Sequence, residues 1–321
     1  MDQTSLIVIG AVNTDLIASG ISGFPKPNQL ARGEHFKIGP GGKSRNIAAM
    51  AGYLMPEGSV AMIARTAEDS FGLWKPPMDD LAKARVNTDY IRVMKASETD
   101  KFPSIALLGV DADGNNQCFM IMGASDDFST QDIDDAAPLF DAAKQNQGIF
   151  ALSLECPLDT ARHAIDKAHS LGLRTILDPG GIIDTMDISD LLRQGVYLIK
   201  PNEHEAELIT GMVVNDFDSA RVAADKLKQE GAKNVLITNG ENGAYLFTEQ
   251  EELHIPIPQV ADGGEKDATG CGDQTMAVLC AYLQEGKSLV EAAKIAVLAG
   301  TLQFYKAGIQ PITKQELEAQ L

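Results

Sequence analysis

The sequence predicts an α/β protein, a doubly wound and mostly parallel sheet carrying a small β-sheet lid. Three observations predict it. From residue 149 onward, short apolar runs alternate with helix-prone segments, the signature of repeated strand–helix units. At 321 residues the chain is long enough to bury a large core, and residues 1–321 read as a single domain without linker or repeat. Within the first half, the runs Ile105-Ala106-Leu107-Leu108 and Cys118-Phe119-Met120-Ile121-Met122 flank Asp111-Ala112-Asp113-Gly114-Asn115. That is a β-hairpin signal. A hairpin set between α/β units projects from the main sheet, so parts of residues 16–37 and 97–123 are expected to form the lid.

Residues 5–10 form a compact apolar strand, followed by Val12-Asn13-Thr14-Asp15. In open α/β sheets ligands collect outside the carboxyl ends of strands. Asn13 and Asp15 are therefore candidate hydroxyl binders, against the competing reading of an Asx-turn closing the strand. Gly39-Pro40-Gly41-Gly42-Lys43-Ser44 looks like a P-loop but is not one, because the pattern ending at Ser44 needs glycine where Lys37 stands. It reads as a loop opening a helix over residues 45–54. Gly41 and Gly42 let a small ligand approach the backbone, with Lys43 and Asn46 in reach. A strand over 59–65 and a helix over 71–84 follow.

Beyond the hairpin, a strand over 149–154 ends at Glu155, and a helix over 158–171 is closed by Gly172. The strand over 174–177 ends at Asp178-Pro179-Gly180-Gly181. The strand over 197–199 leads into Lys200-Pro201-Asn202-Glu203-His204-Glu205, which opens a short helix ending at Gly211. A helix over 218–230 precedes the strand over 235–238, which runs into Asn239-Gly240-Glu241-Asn242-Gly243. Ser288-Leu289-Val290-Glu291 is a capping box. Glu155, Asn202 with Glu205, and Thr238 with Gly240 all sit at strand ends. Singly each is an ordinary turn or cap; together with Asn13, Asp15 and Asp273 they mark one cleft along the sheet edge.

The chemistry centres on Asp267-Ala268-Thr269-Gly270-Cys271-Gly272-Asp273-Gln274-Thr275-Met276, a tight loop entering an apolar helix. A helix start offers free N–H groups and a positive dipole end to an anion. A carboxylate on that first turn makes sense if the anion is a transferring phosphoryl group and Asp273 takes the proton of the incoming hydroxyl. The plainer reading is an acidic residue stabilising a helix end. A dinucleotide fingerprint fails, since it needs glycine at Thr275. Cys271, if exposed there, would have a lowered pKa, and a thiol adduct would block the phosphate position.

With 44% hydrophobic and 22% charged residues and no apolar run of membrane-spanning length, the chain reads as globular. The polar start leading into a strand argues against a signal peptide. Four scattered cysteines without a C-x-x-C pair point to a reducing, cytoplasmic compartment. A formal net charge of −18 argues against nucleic acid and anionic membranes as partners.

Gly41-Gly42-Lys43-Ser44-Arg45-Asn46 resembles the N-terminal signature of the ribokinase-like carbohydrate kinases, the PfkB group. Asp267 to Asp273 resembles their C-terminal signature, and Asn202-Glu203-His204-Glu205 their Asn-x-x-Glu motif. The similarity covers essentially the whole chain. It is nearest the ribokinase branch, through Asn13-Thr14-Asp15, Glu155 and Gly308-Ile309-Gln310-Pro311. The resemblance implies a catalytic base at Asp273 and an anion hole from the backbone of Gly270, Cys271, Gly272 and Asp273. It implies that Asn13, Asp15, Gly41, Gly42, Lys43, Asn46 and Glu155 hold the sugar. ATP would bind at Asn202, Glu205, Thr238, Gly240 and Gly243, with Mg²⁺ organised by Asn202 and Glu205 through water. The carbonyls of Asp267 and Thr269 would bind an activating K⁺.

Several positions depart from the family pattern. Ser44-Arg45 replaces a small Gly-Ala pair and sets a cation beside the sugar loop; Ile47 replaces glutamine; Asp178-Pro179-Gly180-Gly181 replaces an asparagine-proline-alanine run; and Ile312 replaces a serine of the potassium site. The expected activity is ATP-dependent phosphorylation of a primary hydroxyl on a pentose or similar furanose, by a homodimer joined through the lid. A nucleoside or pseudouridine kinase, with Arg45 reaching the larger substrate, or another sugar kinase such as a fructokinase, is the alternative. A non-catalytic sugar-binding sensor is disfavoured by the intact Gly270, Gly272 and Asp273.

Overall fold

The computed structural model describes residues 3–111, 115–260 and 266–321. The hairpin turn at Ala112-Asp113-Gly114 and most of the polar run before Lys266 lie outside the described residues. Among the described residues the main sheet has nine strands. From one edge they run β13 (Glu252–Ile255), β12 (Ala244–Phe247), β11 (Asn234–Thr238), β10 (Leu198–Ile199), β9 (Arg174–Asp178), β8 (Ile149–Ser153), β1 (Leu6–Ile9), β4 (Val60–Ala67) and β5 (Asn87–Met94). Pairing is parallel from β11 to β5, while β12 and β13 add antiparallel.

Alternation along the strands divides the core in two. On β1, Leu6 and Val8 face one apolar cluster and Ile7 and Ile9 face another, all four fully buried. The first cluster is closed by α1 (Lys43–Leu54), α2 (Lys75–Lys83), α9 (Cys271–Gln284), α10 (Leu289–Phe304) and α11 (Lys314–Glu318). The second is closed by α3 (Thr130–Asp135), α4 (Ala137–Gln145), α5 (Leu158–Ser170), α6 (Ser189–Arg193), α7 (Glu203–Thr210) and α8 (Phe217–Gln229). The sheet is thus doubly wound. Its reversal of strand order falls at β1, between β4 and β8, where such sheets open a crevice at their carboxyl ends.

A second, four-stranded sheet has the order β3-β2-β6-β7, from His35–Gly41, Asn13–Ile21, Ser104–Asp111 and Asn116–Ile121. Register assigns its two faces. Gly39, Asp15, Ala106 and Met120 align across the strands, as do Ile38, Leu16, Leu107 and Phe119 in the next row. The first row faces the crevice: Asn13, two residues before Asp15, reaches Met120 Sδ at 3.6 Å. The second row is turned away, leaving Ile38, Leu107 and Phe119 exposed. Two strands of this sheet run straight into the crevice, β2 from the end of β1 and β3 into α1 through Gly42, whose φ is 92°. A Cβ on Gly42 would lie 2.8 Å from the Ala11 carbonyl oxygen, so glycine is required at that junction.

Candidate active site

Parallel strands deliver polar residues to the crevice in spatial order. Asn13 and Asp15 follow β1, Glu155 follows β8, Asp178 ends β9, Lys200 and Asn202 follow β10, and Thr238 ends β11. Neighbouring strands are ~4.8 Å apart, so this row spans about 19 Å. Gly240 and Gly243 continue it beyond β11, in the short turn before β12.

Over the row stands the start of α9. Gly270 is its cap at φ 77°, and Asp273 lies buried in its first turn. Asn46, on α1, donates Nδ2–H to Asp273 Oδ2 at 2.6 Å. Burial lifts the Asp273 carboxyl above the usual range and Asp178 adds to the rise, while Lys43 and the Asn46 bond oppose it. The backbone N–H of Lys43 donates to Glu155 Oε2 at 2.8 Å. Burial resists charge on the Lys43 ammonium, but Asp273, Asp178, Glu205 and Glu155 outweigh it and raise its pKa.

Asp15, Glu155 and Asp273 also act on one another. Burial first, then the neighbouring carboxylates, push Glu155 up to about 7 against the pull of Lys43. Asp15 rises to about 6, mainly by burial, with Arg45 lowering and Asp273 raising it. Fully buried Asn13 has an Oδ1 without a hydrogen-bond partner. The raised carboxyls of Asp15 and Glu155 and the unpaired Asn13 oxygen are polar groups able to exchange hydrogen bonds with a hydroxyl.

Asn202 and Glu205 form a reciprocal cap at the start of α7, with bonds of 2.7 and 2.9 Å. Burial and Asp178 raise the Glu205 pKa, against Lys200 and Lys43. Sequence reasoning did not name Asp178 and Lys200 as site residues, yet they form a buried ion pair at 2.8 Å. Burial opposes charge on Asp178, but Lys200 and Lys43 and the Gly180 N–H hold its pKa down. A Cβ on Gly272 would lie 3.7 Å from Lys200 Nζ, so that ammonium abuts the first turn of α9. The available signal was position: each ends or follows a strand whose neighbours were already assigned to the cleft.

At the loop before α9, both Asp267 carboxylate oxygens are occupied, Oδ1 by the Thr269 N–H at 2.8 Å and Oδ2 by the Gly308 N–H at 2.7 Å. Fully buried Gln303 donates Nε2–H to the Thr269 and Gly308 carbonyls, at 3.3 and 2.7 Å. Ile312 is buried in the core, donates its N–H to Gln274 Oε1 at 2.9 Å, and has no oxygen on its side chain.

Two expectations are corrected. Cys271 is half-buried, and burial followed by Asp267 and Asp273 pushes its thiol up to about 12. The lowered value expected of an exposed thiol at a helix start does not apply, because this thiol is desolvated beside two carboxyl groups. Arg45 does not reach toward a substrate either. It is completely buried and paired with Asp80 at 2.5 Å, so it offers no support for a larger acceptor.

The family model for pfkB family carbohydrate kinases matches residues 3–315. The chain belongs to this family. A deoxyribokinase of Salmonella typhi is 30% identical over 305 residues, covering 95% of this chain and 94% of its own. A mouse ribokinase is 28% identical over 284 residues, covering 88% and 82%. The Arabidopsis thaliana ribokinase solved with ribose and ATP superposes with a TM-score of 0.84 at 25% identity, over 98% of both chains.

The raised Glu155 pKa sets a pH dependence. A carboxyl that binds its proton more tightly when folded than at its ordinary 4.5 favours the folded state at low pH. Stability of the ligand-free enzyme is expected to fall as pH rises from about 4.5 through about 7. Urea melts of Glu155→Gln should show a shallower fall over that window; identical slopes would contradict the assignment. In the same protein, Cys271 should resist iodoacetamide at neutral pH.

Proposed function

We propose that this kinase transfers the γ-phosphoryl group of ATP to the primary hydroxyl of a pentofuranose, with ribose and 2-deoxyribose the first candidates. The relatives' names supply those two sugars, and the crevice supports them. The observation that carries the reading is Asp273, buried at the start of α9, hydrogen-bonded by Asn46 and acted on by Asp178 and Lys200 of the strand-end row.

In this reading Asn13, Asp15, Glu155 and the Gly41–Gly42 backbone hold the sugar hydroxyls, and Asp273 accepts the proton of the attacking one. Backbone N–H groups from Gly270 to Asp273 receive the γ-phosphate, together with the Lys200 ammonium, where fixed donors oppose developing charge. Lys43 lies between acceptor and phosphate, and neutralises the carboxylates on both sides. Asn202, Glu205, Thr238, Gly240 and Gly243 take the nucleotide end. Mg²⁺ would neutralise the phosphates and arrive with the nucleotide. Glu205, at the start of α7, would act on it through water. The second sheet serves as the lid that excludes water. Its outward row of Ile38, Leu107 and Phe119 supports a homodimer joined lid to lid. A nucleoside acceptor remains the second reading within the same fold.

The loop before α9 does not fit K⁺. Of the two carbonyls expected to ligate it, that of Thr269 already accepts from the Gln303 amide, and the Ile312 side chain brings no oxygen where a serine hydroxyl would complete the site. Turnover and melting temperature should be the same in potassium and sodium salts; a potassium-specific rise in both would overturn this.

The base assignment is tested by Asp273→Asn. Turnover should fall by roughly 10²–10⁴ while ATP and sugar still bind by calorimetry. Near-normal turnover in that variant would sink the reading.

A further inference from the structure

We propose that Arg45 is a positioning residue, which fixes the amide of Asn46 and through it the carboxylate of Asp273. The proposal rests on the reading of Asp273 as the base. Arg45 is the largest fully buried side chain among the described residues. A buried guanidinium is costly unless every donor is used in good geometry. Here Nη1 pairs with Asp80 Oδ2 at 2.5 Å, Nε donates to the Gly41 carbonyl at 3.2 Å, and Nη2 donates to Asn46 Oδ1. Asn46 then donates Nδ2–H to Asp273 Oδ2 at 2.6 Å.

The two ends of an asparagine amide are alike in shape and opposite in hydrogen bonding. A guanidinium has donors only, so it tolerates only the oxygen end of Asn46. The NH₂ end is thereby committed to Asp273. Without the guanidinium the amide is free to turn, and its oxygen would then repel the ionised carboxylate. A charged donor on the amide oxygen also polarises the amide and strengthens its other hydrogen bond. The Gly41 contact ties the same side chain to the sugar loop, where a Cβ on Gly41 would run into the Asp15 carboxylate. One guanidinium thus registers the loop that holds the acceptor against the base that deprotonates it.

A simpler role is to pin α1 to α2 through Asp80. The two roles separate by what they move. The other charged groups acting on Asp273 are Lys43 from α1, Asp178 and Lys200 from the ends of β9 and β10, Glu155 after β8, and Asp15 on β2. Arg45→Lys leaves all of them in place and keeps a cation for Asp80, but it has no fork to hold Gly41 and Asn46 together.

The test measures kcat, both KM values, the acid limb of the pH–rate profile and the melting temperature. It uses Arg45→Lys, Asn46→Ala and the double variant. Arg45→Lys should lose about ten- to a hundredfold in kcat, with KM for ATP unchanged. Its acid limb should move to higher pH, since the base loses an aligned donor. In the Asn46→Ala background Arg45→Lys should cost nothing more in kcat, the mark of two residues acting as one unit. If Arg45→Lys does not fold, Asp80→Asn, which loosens the same guanidinium, should shift the acid limb in the same direction. The proposal is overturned if kcat and the acid limb stay at wild-type values while only melting changes, or if the losses multiply in the double variant. An inactive Asp273→Asn beside unaffected Arg45 variants removes the positioning role alone. An active Asp273→Asn removes the base and this proposal with it.

Discussion

The site depends on charge balance inside a crevice that water barely reaches. Asp15, Glu155, Asp178, Glu205 and Asp273 converge there, and each carboxylate taken from water must be protonated or paired. Lys43 is the common partner, acting on Asp273, Asp178, Glu205 and Glu155. Lys200 neutralises Asp178, and Arg45 is matched by Asp80. The balance is uneven along the crevice. Glu155 and Asp15 retain protons up to about 7 and about 6, whereas Asp178 is held ionised. In the proposed reading the Asp15–Glu155 end meets the sugar hydroxyls, and the Asp178–Lys200 end holds fixed charges.

The parallel sheet converts sequence order into that spatial order. Asn13, Asp15 and Glu155 follow β1 and β8, Asp178 and Lys200 end or follow β9 and β10, and Thr238 ends β11. The helix carrying Asp273 comes after every strand in the chain, yet its start lies beside Asp178 and Lys200 of the row. It is held there by a wholly apolar body, with Met276 through Cys280 fully buried against α1 and α10. The hydrophobic core thus sets where Asp273 stands against the strand ends, and the four-stranded sheet brings Asn13 and Asp15 to the crevice.

The parts legible in the sequence are those with local signatures. The strand ends, the Gly-rich entry to α9, the Ser288 capping box and the hairpin all appear where local pattern placed them. So do helices with clear apolar periodicity, such as Leu158–Ser170, although the helix expected over residues 71–84 begins only at Lys75. Elements at or next to the sheet edges escaped. On β5 only Ile91 and Met94 are buried, too few for an alternating signal, and β12 is four buried residues long. Pairings between distant residues escaped as well. The Asp178–Lys200 bridge needs the register of β9 against β10, and the inward turn of Arg45 needs Asp80 from α2. The thiol of Cys271 was misjudged because a helix end is visible in sequence, whereas the desolvation that overrides it is not.

The central claim is that the crevice couples ATP cleavage to a sugar hydroxyl. The most direct measurement is ADP release by the wild-type enzyme with MgATP, screened over pentoses, hexoses and nucleosides, with ³¹P spectroscopy of the product. The account predicts release that requires a pentofuranose and a phosphate ester on its primary carbon. ADP release indifferent to the sugar, or none with any acceptor, would contradict it.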